Sequence, residues 1–92
     1  MDPLVSWQVA PEVVARRLGE SVVLVNLADD AVYELNRTGA RTIELIQSGS
    51  TYDHILRQLE EEFSAARATL ENDVTRLVGE LVAAGLITPR HV

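Results

Sequence analysis

Cysteine and lysine are both absent from the 92-residue chain. The first absence excludes disulfide frameworks, thiolate zinc sites and cysteine nucleophiles, and it leaves the redox compartment undefined by this criterion. The second leaves arginine as the source of all 8 basic residues against 14 acidic ones, a formal net charge of −6 that argues against nucleic acid as a partner. Long apolar runs are missing too: Val22 to Val25 is far too short to span a bilayer, and residues 1 to 15 lack the basic start and apolar stretch of a secretory signal. The expectation is a cytoplasmic protein with no membrane partner.

Catalytic and cofactor constellations are equally scarce. His54 and His91 are the two histidines, both expected at the solvated surface, and they stand in no metal-binding spacing. Glu60, Glu61 and Glu62 are consecutive, so on a helix they point in different directions and read as a solvated helix end rather than a cation site. Gly39, Gly49 and Gly85 stand singly at helix ends, and no glycine-rich phosphate cradle is present. No catalytic residue, metal ligand or cofactor is assigned.

What is present is a change of period. Val5, Trp7 and Val9 alternate with polar or small neighbours until Pro11 interrupts, giving a short first strand. Val13 to Leu18 and Ser21 to Leu27 follow as strands joined at Gly19-Glu20. After a turn at Ala28-Asp29-Asp30, Ala31 to Leu35 alternates again, with Tyr33 and Leu35 on one face, assigned to the core, and Val32 and Glu34 on the other.

From Asn36 onward the spacing is helical. Asn36 is an N-cap for a first helix marked by Ala40, Ile43 and Ile46 and stopped at Ser48-Gly49. Ser50 and Asp53 have capping-box spacing ahead of Tyr52, Ile55, Leu56, Leu59 and Phe63. A third helix carries Leu70, Val74, Leu77, Val78, Leu81 and Val82, ends at Gly85 and is barred from continuing by Pro89. Its apolar arc spans roughly 160° on a helical wheel. Either this helix lies centrally between the other helices and the sheet, or one margin of it lines a groove. Strands grouped before helices, with no repeats or linkers, give a single α+β domain over residues 1–92.

Three of these strands with the three helices would also describe a winged helix-turn-helix that binds DNA. Residues 67 to 82 argue against that use, since Arg67 and Arg76 face Glu71, Asp73 and Glu80. A structural subunit that packs its strand edge on a permanent partner is a further alternative; it would dimerise or be insoluble alone.

The run Val22-Val23-Leu24-Val25-Asn26-Leu27, followed by Ala31-Val32-Tyr33-Glu34-Leu35-Asn36-Arg37-Thr38-Gly39-Ala40, resembles the "LLN … YxLNxTG" signature of PqqD-like proteins. Ser50 to Ile55, Glu61-Glu62-Phe63, Asp73-Val74, Leu77-Val78, Leu81 and Ala84 to Ile87 extend the similarity over almost the whole chain. One departure is that Thr42 and Ile43 stand where the pattern often has a bulky aromatic residue.

The resemblance implies a small recognition element for ribosomally synthesised, post-translationally modified peptides. Its fold would be winged helix-turn-helix-like, a three-stranded antiparallel sheet followed by three helices, with the third strand an exposed edge. A precursor's leader peptide would add to that edge, formed by Ala31, Val32, Tyr33, Glu34 and Leu35. The third helix would supply the other wall through Asp73, Val74, Arg76, Leu77, Val78 and Leu81. Edge backbone groups give affinity in such strand addition, and pockets for alternate side chains give selectivity. Asp73 would pair with a basic leader residue and Arg76 with an acidic one. The implied partner enzyme is a cysteine-protease leader peptidase and then a cyclase of a lasso-peptide pathway, or else a radical-SAM enzyme served by a PqqD-type chaperone.

Overall fold

The computed structural model describes residues 1–90 and shows the α+β order expected. Strands β1 (Ser6–Val9), β2 (Val13–Leu18), β3 (Ser21–Asn26) and β4 (Val32–Leu35) precede helices α1 (Arg37–Gln47), α2 (Tyr52–Phe63) and α3 (Arg67–Ala83), and a strand β5 (Ile87–Arg90) follows. β2, β3 and β4 form an antiparallel sheet in that order, which leaves β4 at one edge.

The β3–β4 hairpin closes through side chains that the sequence places at its turn. Asn26 Oδ1 accepts from the Ala28 amide at 2.9 Å, and Asp29 Oδ1 accepts from the Ala31 amide at 3.0 Å. Alternation along β3 puts Val22 and Leu24 inward, opposite Leu35 and Tyr33 of β4. That inner face packs on Ile43 and Ile46 of α1, Ile55, Leu56 and Leu59 of α2, and Leu70, Val74, Val78 and Leu81 of α3. The broad apolar margin of α3 therefore divides: its central stripe is core, Leu77 is half-buried, and Val82 is exposed.

Residues 87 to 90, to which the sequence reading assigned no element, form a strand; β5 pairs with β1, with Pro89 opposite Trp7. Four residues containing a proline carry no periodic signal, and proline is tolerated here because a two-stranded sheet consists of edges. The α2 cap is Thr51, whose Oγ1 accepts from the His54 amide at 3.3 Å, rather than Ser50. Ser50 is already engaged in closing α1: the Gly49 amide donates to Ile46 O and the Ser50 amide to Leu45 O, both at 3.0 Å, with Gly49 at φ 86°. This is the paired bonding of a Schellman motif, so the following residue must start the next helix. Thr51→Ala should accordingly cost about 1 kcal/mol and lower the melting temperature by about 4–8 °C in a circular-dichroism melt. Ser50→Ala should shift it by less than half as much.

Glu60 and Glu62 are not merely solvated. Glu60 holds Arg67 of α3 at 2.7 Å and Glu62 holds Arg41 of α1 at 2.9 Å, so neighbouring positions on α2 tie it to different helices. Arg37 lies over the Phe63 ring at 5.0 Å, a cation–π contact that joins the start of α1 to the end of α2. His54 is half-buried rather than at the surface, and His91 lies outside the described residues.

Candidate functional site

The unpaired groups of β4 follow from its register. The Asn26 amide donates to Ala31 O at 2.9 Å, which makes Asn26 and Ala31 a hydrogen-bonded pair. Such pairs alternate along an antiparallel ladder, so Tyr33 and Leu35 bond back to β3 through their pairing with Leu24 and Val22. The N–H and C=O groups of Val32 and Glu34 point the other way, toward open space beside the sheet. A four-residue edge is thus left with backbone donors and acceptors free for another strand.

Beside this edge a cleft of about 230 Å³ runs between β4 and α3. Tyr33, Glu34 and Leu35 line it from β4; Asn36, Thr38, Gly39 and Thr42 from the cap and first turns of α1; Asp73, Val74, Arg76, Leu77 and Glu80 from α3. The α1 contribution follows from chain continuity, because Asn36 ends the strand and caps the helix in one step, its Oδ1 accepting from the Gly39 amide at 2.9 Å. Gly39 sits where a Cβ would come 3.3 Å from Leu35 Cβ and 3.4 Å from Asn36 Oδ1, so the floor approaches the strand closely.

Across the cleft, the Tyr33 hydroxyl donates to a Glu80 carboxylate oxygen. That bond pushes the phenol pKa above its ordinary 10.0, reinforced by burial and by the Glu80 charge and opposed by Arg76. Arg76 itself leans on Asp73 at 3.6 Å and is largely solvent-exposed. Among the described residues Glu80 pairs with no cation.

Seven of the eleven residues singled out from the sequence come together on this cleft: Tyr33, Glu34, Leu35, Asp73, Val74, Arg76 and Leu77. Ala31 and Val32 lie just outside it at the start of the strand, with Val32 64% exposed on the opposite face. Val78 and Leu81 do not reach it; at 3% and 0% exposure they belong to the core, because the α3 face that carries Leu70 and Val74 turns inward. Tyr33, read as core, is half-buried and sends its hydroxyl into the cleft. The cleft residues that the sequence reading missed are Asn36, Thr38, Gly39, Thr42 and Glu80. Glu80 carried a signal, since it falls on the same helical stripe as Asp73, Arg76 and Leu77.

Among the described residues no group of three or more histidine, cysteine, aspartate or glutamate side chains is placed to hold a metal ion, and no helix is long and apolar enough to cross a membrane.

The family model for coenzyme PQQ synthesis protein D (PqqD) matches residues 21–87. The fold is similar to that of TbiB1 in complex with the TbiA(beta) leader peptide, with a TM-score of 0.81 and 25% identity over 87% of this chain and 93% of that one. It is also similar to lasso peptide synthetase B1 complexed with the leader peptide, with a TM-score of 0.82 over 91% of this chain and 99% of the other; at 23% identity this likeness concerns the fold. No curated protein matches the chain.

Proposed function

The chain belongs to the PqqD family, and from that premise we propose that it binds the leader segment of a ribosomally synthesised precursor peptide and presents it to a processing enzyme. The observation that carries this reading is the free β4 edge opening directly onto a cleft walled by α3. An extended peptide lying antiparallel to β4 would bond to the outward groups of Val32 and Glu34 while alternate side chains enter the cleft. Support comes also from the two similar structures, both of which hold leader peptides. The likeness to lasso peptide synthetase B1 favours a lasso-peptide pathway over delivery to a radical-SAM enzyme.

In this reading the 92 residues act as one binding unit in the cytoplasm, with no catalysis of their own. The partner is a leader peptidase of the cysteine-protease class, followed by a cyclase. Holding the leader while docked on the enzyme raises the effective concentration of the core peptide at the active site. About ten ordered leader residues would bind with micromolar to nanomolar affinity, about −8 to −12 kcal/mol.

An amide NMR titration with the synthetic leader of a precursor encoded beside this gene tests the reading. Saturable shifts concentrated at residues 31 to 36 and 73 to 80 are expected. A flat titration of a well-dispersed spectrum would overturn it.

A further inference from the structure

The register of β4 also determines what each leader side chain would meet, and this inference rests on the leader-binding reading. An antiparallel strand hydrogen-bonded to Val32 and Glu34 places its residues opposite Tyr33 and Leu35 on the inner face, over the cleft. Because the strands run in opposite directions, the peptide residue opposite Leu35 comes two positions before the one opposite Tyr33.

The surroundings of these two positions differ in chemistry. Around Leu35 the wall is apolar and small: Leu35 and Val74 are 2% and 1% exposed, Gly39 adjoins Leu35, and the Thr42 hydroxyl is taken up by Thr38 O at 2.8 Å. Around Tyr33 the wall is the Glu80 carboxylate, held by a neutral phenol. The nearby cation, Arg76, is engaged with Asp73, one turn back along the helix. Glu34 does not count toward this position, since alternation turns its side chain to the outer face with Val32.

We propose that the Tyr33–Glu80 pair reads a basic side chain on the bound peptide, two residues C-terminal to an apolar side chain seated against Leu35 and Val74. A lysine or arginine there supplies the countercharge that Glu80 lacks and lies against the Tyr33 ring, which adds a cation–π contribution. Glu80 determines specificity at this position, and the apolar-x-basic spacing is the peptide class the cleft accepts.

The test is selection from a phage-displayed library of random twelve-residue peptides against the wild-type protein and its Glu80→Lys and Glu80→Gln variants, scoring only peptides that Val32→Pro fails to capture. Glu80 is exposed on α3, so both variants should retain the fold. Wild type should enrich apolar-x-Lys and apolar-x-Arg; in resynthesised peptides, Lys→Glu should weaken binding about fivefold. Glu80→Lys should enrich an acid at the same spacing, and Glu80→Gln should lose the charge preference. Captured peptides without a basic preference, or a basic preference retained by Glu80→Lys, overturn the proposal and leave leader binding intact. Failure to capture any peptide overturns both.

Discussion

Val32→Pro is expected to weaken leader binding at least tenfold, by about 1.4 kcal/mol or more, while leaving the melting temperature within a few degrees of wild type. The Val32 N–H points away from β3, so proline at this position removes no hydrogen bond from the existing sheet. It does remove a donor from the groove, leaves a peptide carbonyl unpartnered, and places a ring where the added backbone would run. The adjacent substitution behaves differently, because Tyr33 bonds to Leu24 of the sheet and Tyr33→Pro would break the hairpin itself. Ala15→Pro is the matching control on the opposite edge: in the register of β2 its amide also faces outward, and leader affinity should be unchanged. Calorimetric titration of the three variants, with melts alongside, separates loss of the edge from loss of the fold. Full affinity in a folded Val32→Pro protein would mean that the peptide does not pair with β4.

The edge was legible because it depends on local pattern. Alternation assigned the faces of residues 31 to 35, the Ala28-Asp29-Asp30 segment supplied turn chemistry, and Asn36 marked the change to helix. Each of these signals lies within a few residues of the structure it specifies. What escaped depends on distance. β5 exists only because β1 lies beside it, about eighty residues away in sequence. The division of the α3 apolar arc into core and cleft is decided by which neighbours cover it, so Val78 and Leu81 looked the same as Leu77 until the sheet was in place. Glu80 escaped for a different reason. A glutamate on a helix surface is ordinary, and its role rests on Tyr33, forty-seven residues earlier, arriving across the cleft.

The β1–β5 pairing also bears the largest expected loss of stability. Trp7→Ala should cost about 3–5 kcal/mol out of the roughly 5–15 kcal/mol available to a domain, lowering the melting temperature by about 15–30 °C. Trp7 is 3% exposed and meets Tyr52 edge to face, with ring centroids 6.5 Å apart, so its removal leaves a cavity against a second aromatic ring. The same segment covers the start of α2: the Tyr52 amide donates to Val5 O at 2.8 Å and the Asp53 amide to Pro3 O at 3.0 Å. These are first-turn donors that no helix can satisfy internally. Tyr52 reaches across to α3, its hydroxyl 3.4 Å from Thr75 Oγ1. Trp7 thus supports the helix that forms the far wall of the cleft, although it lies in another sheet. In hydrogen exchange, the Tyr52 and Asp53 amides of Trp7→Ala should lose protection before the rest of α2 does. Trp7→Phe should recover part of the melting temperature by restoring an aromatic contact, whereas Gln8→Ala, at the exposed neighbouring position, should leave it nearly unchanged. A Trp7→Ala melt within a few degrees of wild type would show that the pairing of the two chain ends is dispensable and that the three-stranded sheet with its helices is stable alone.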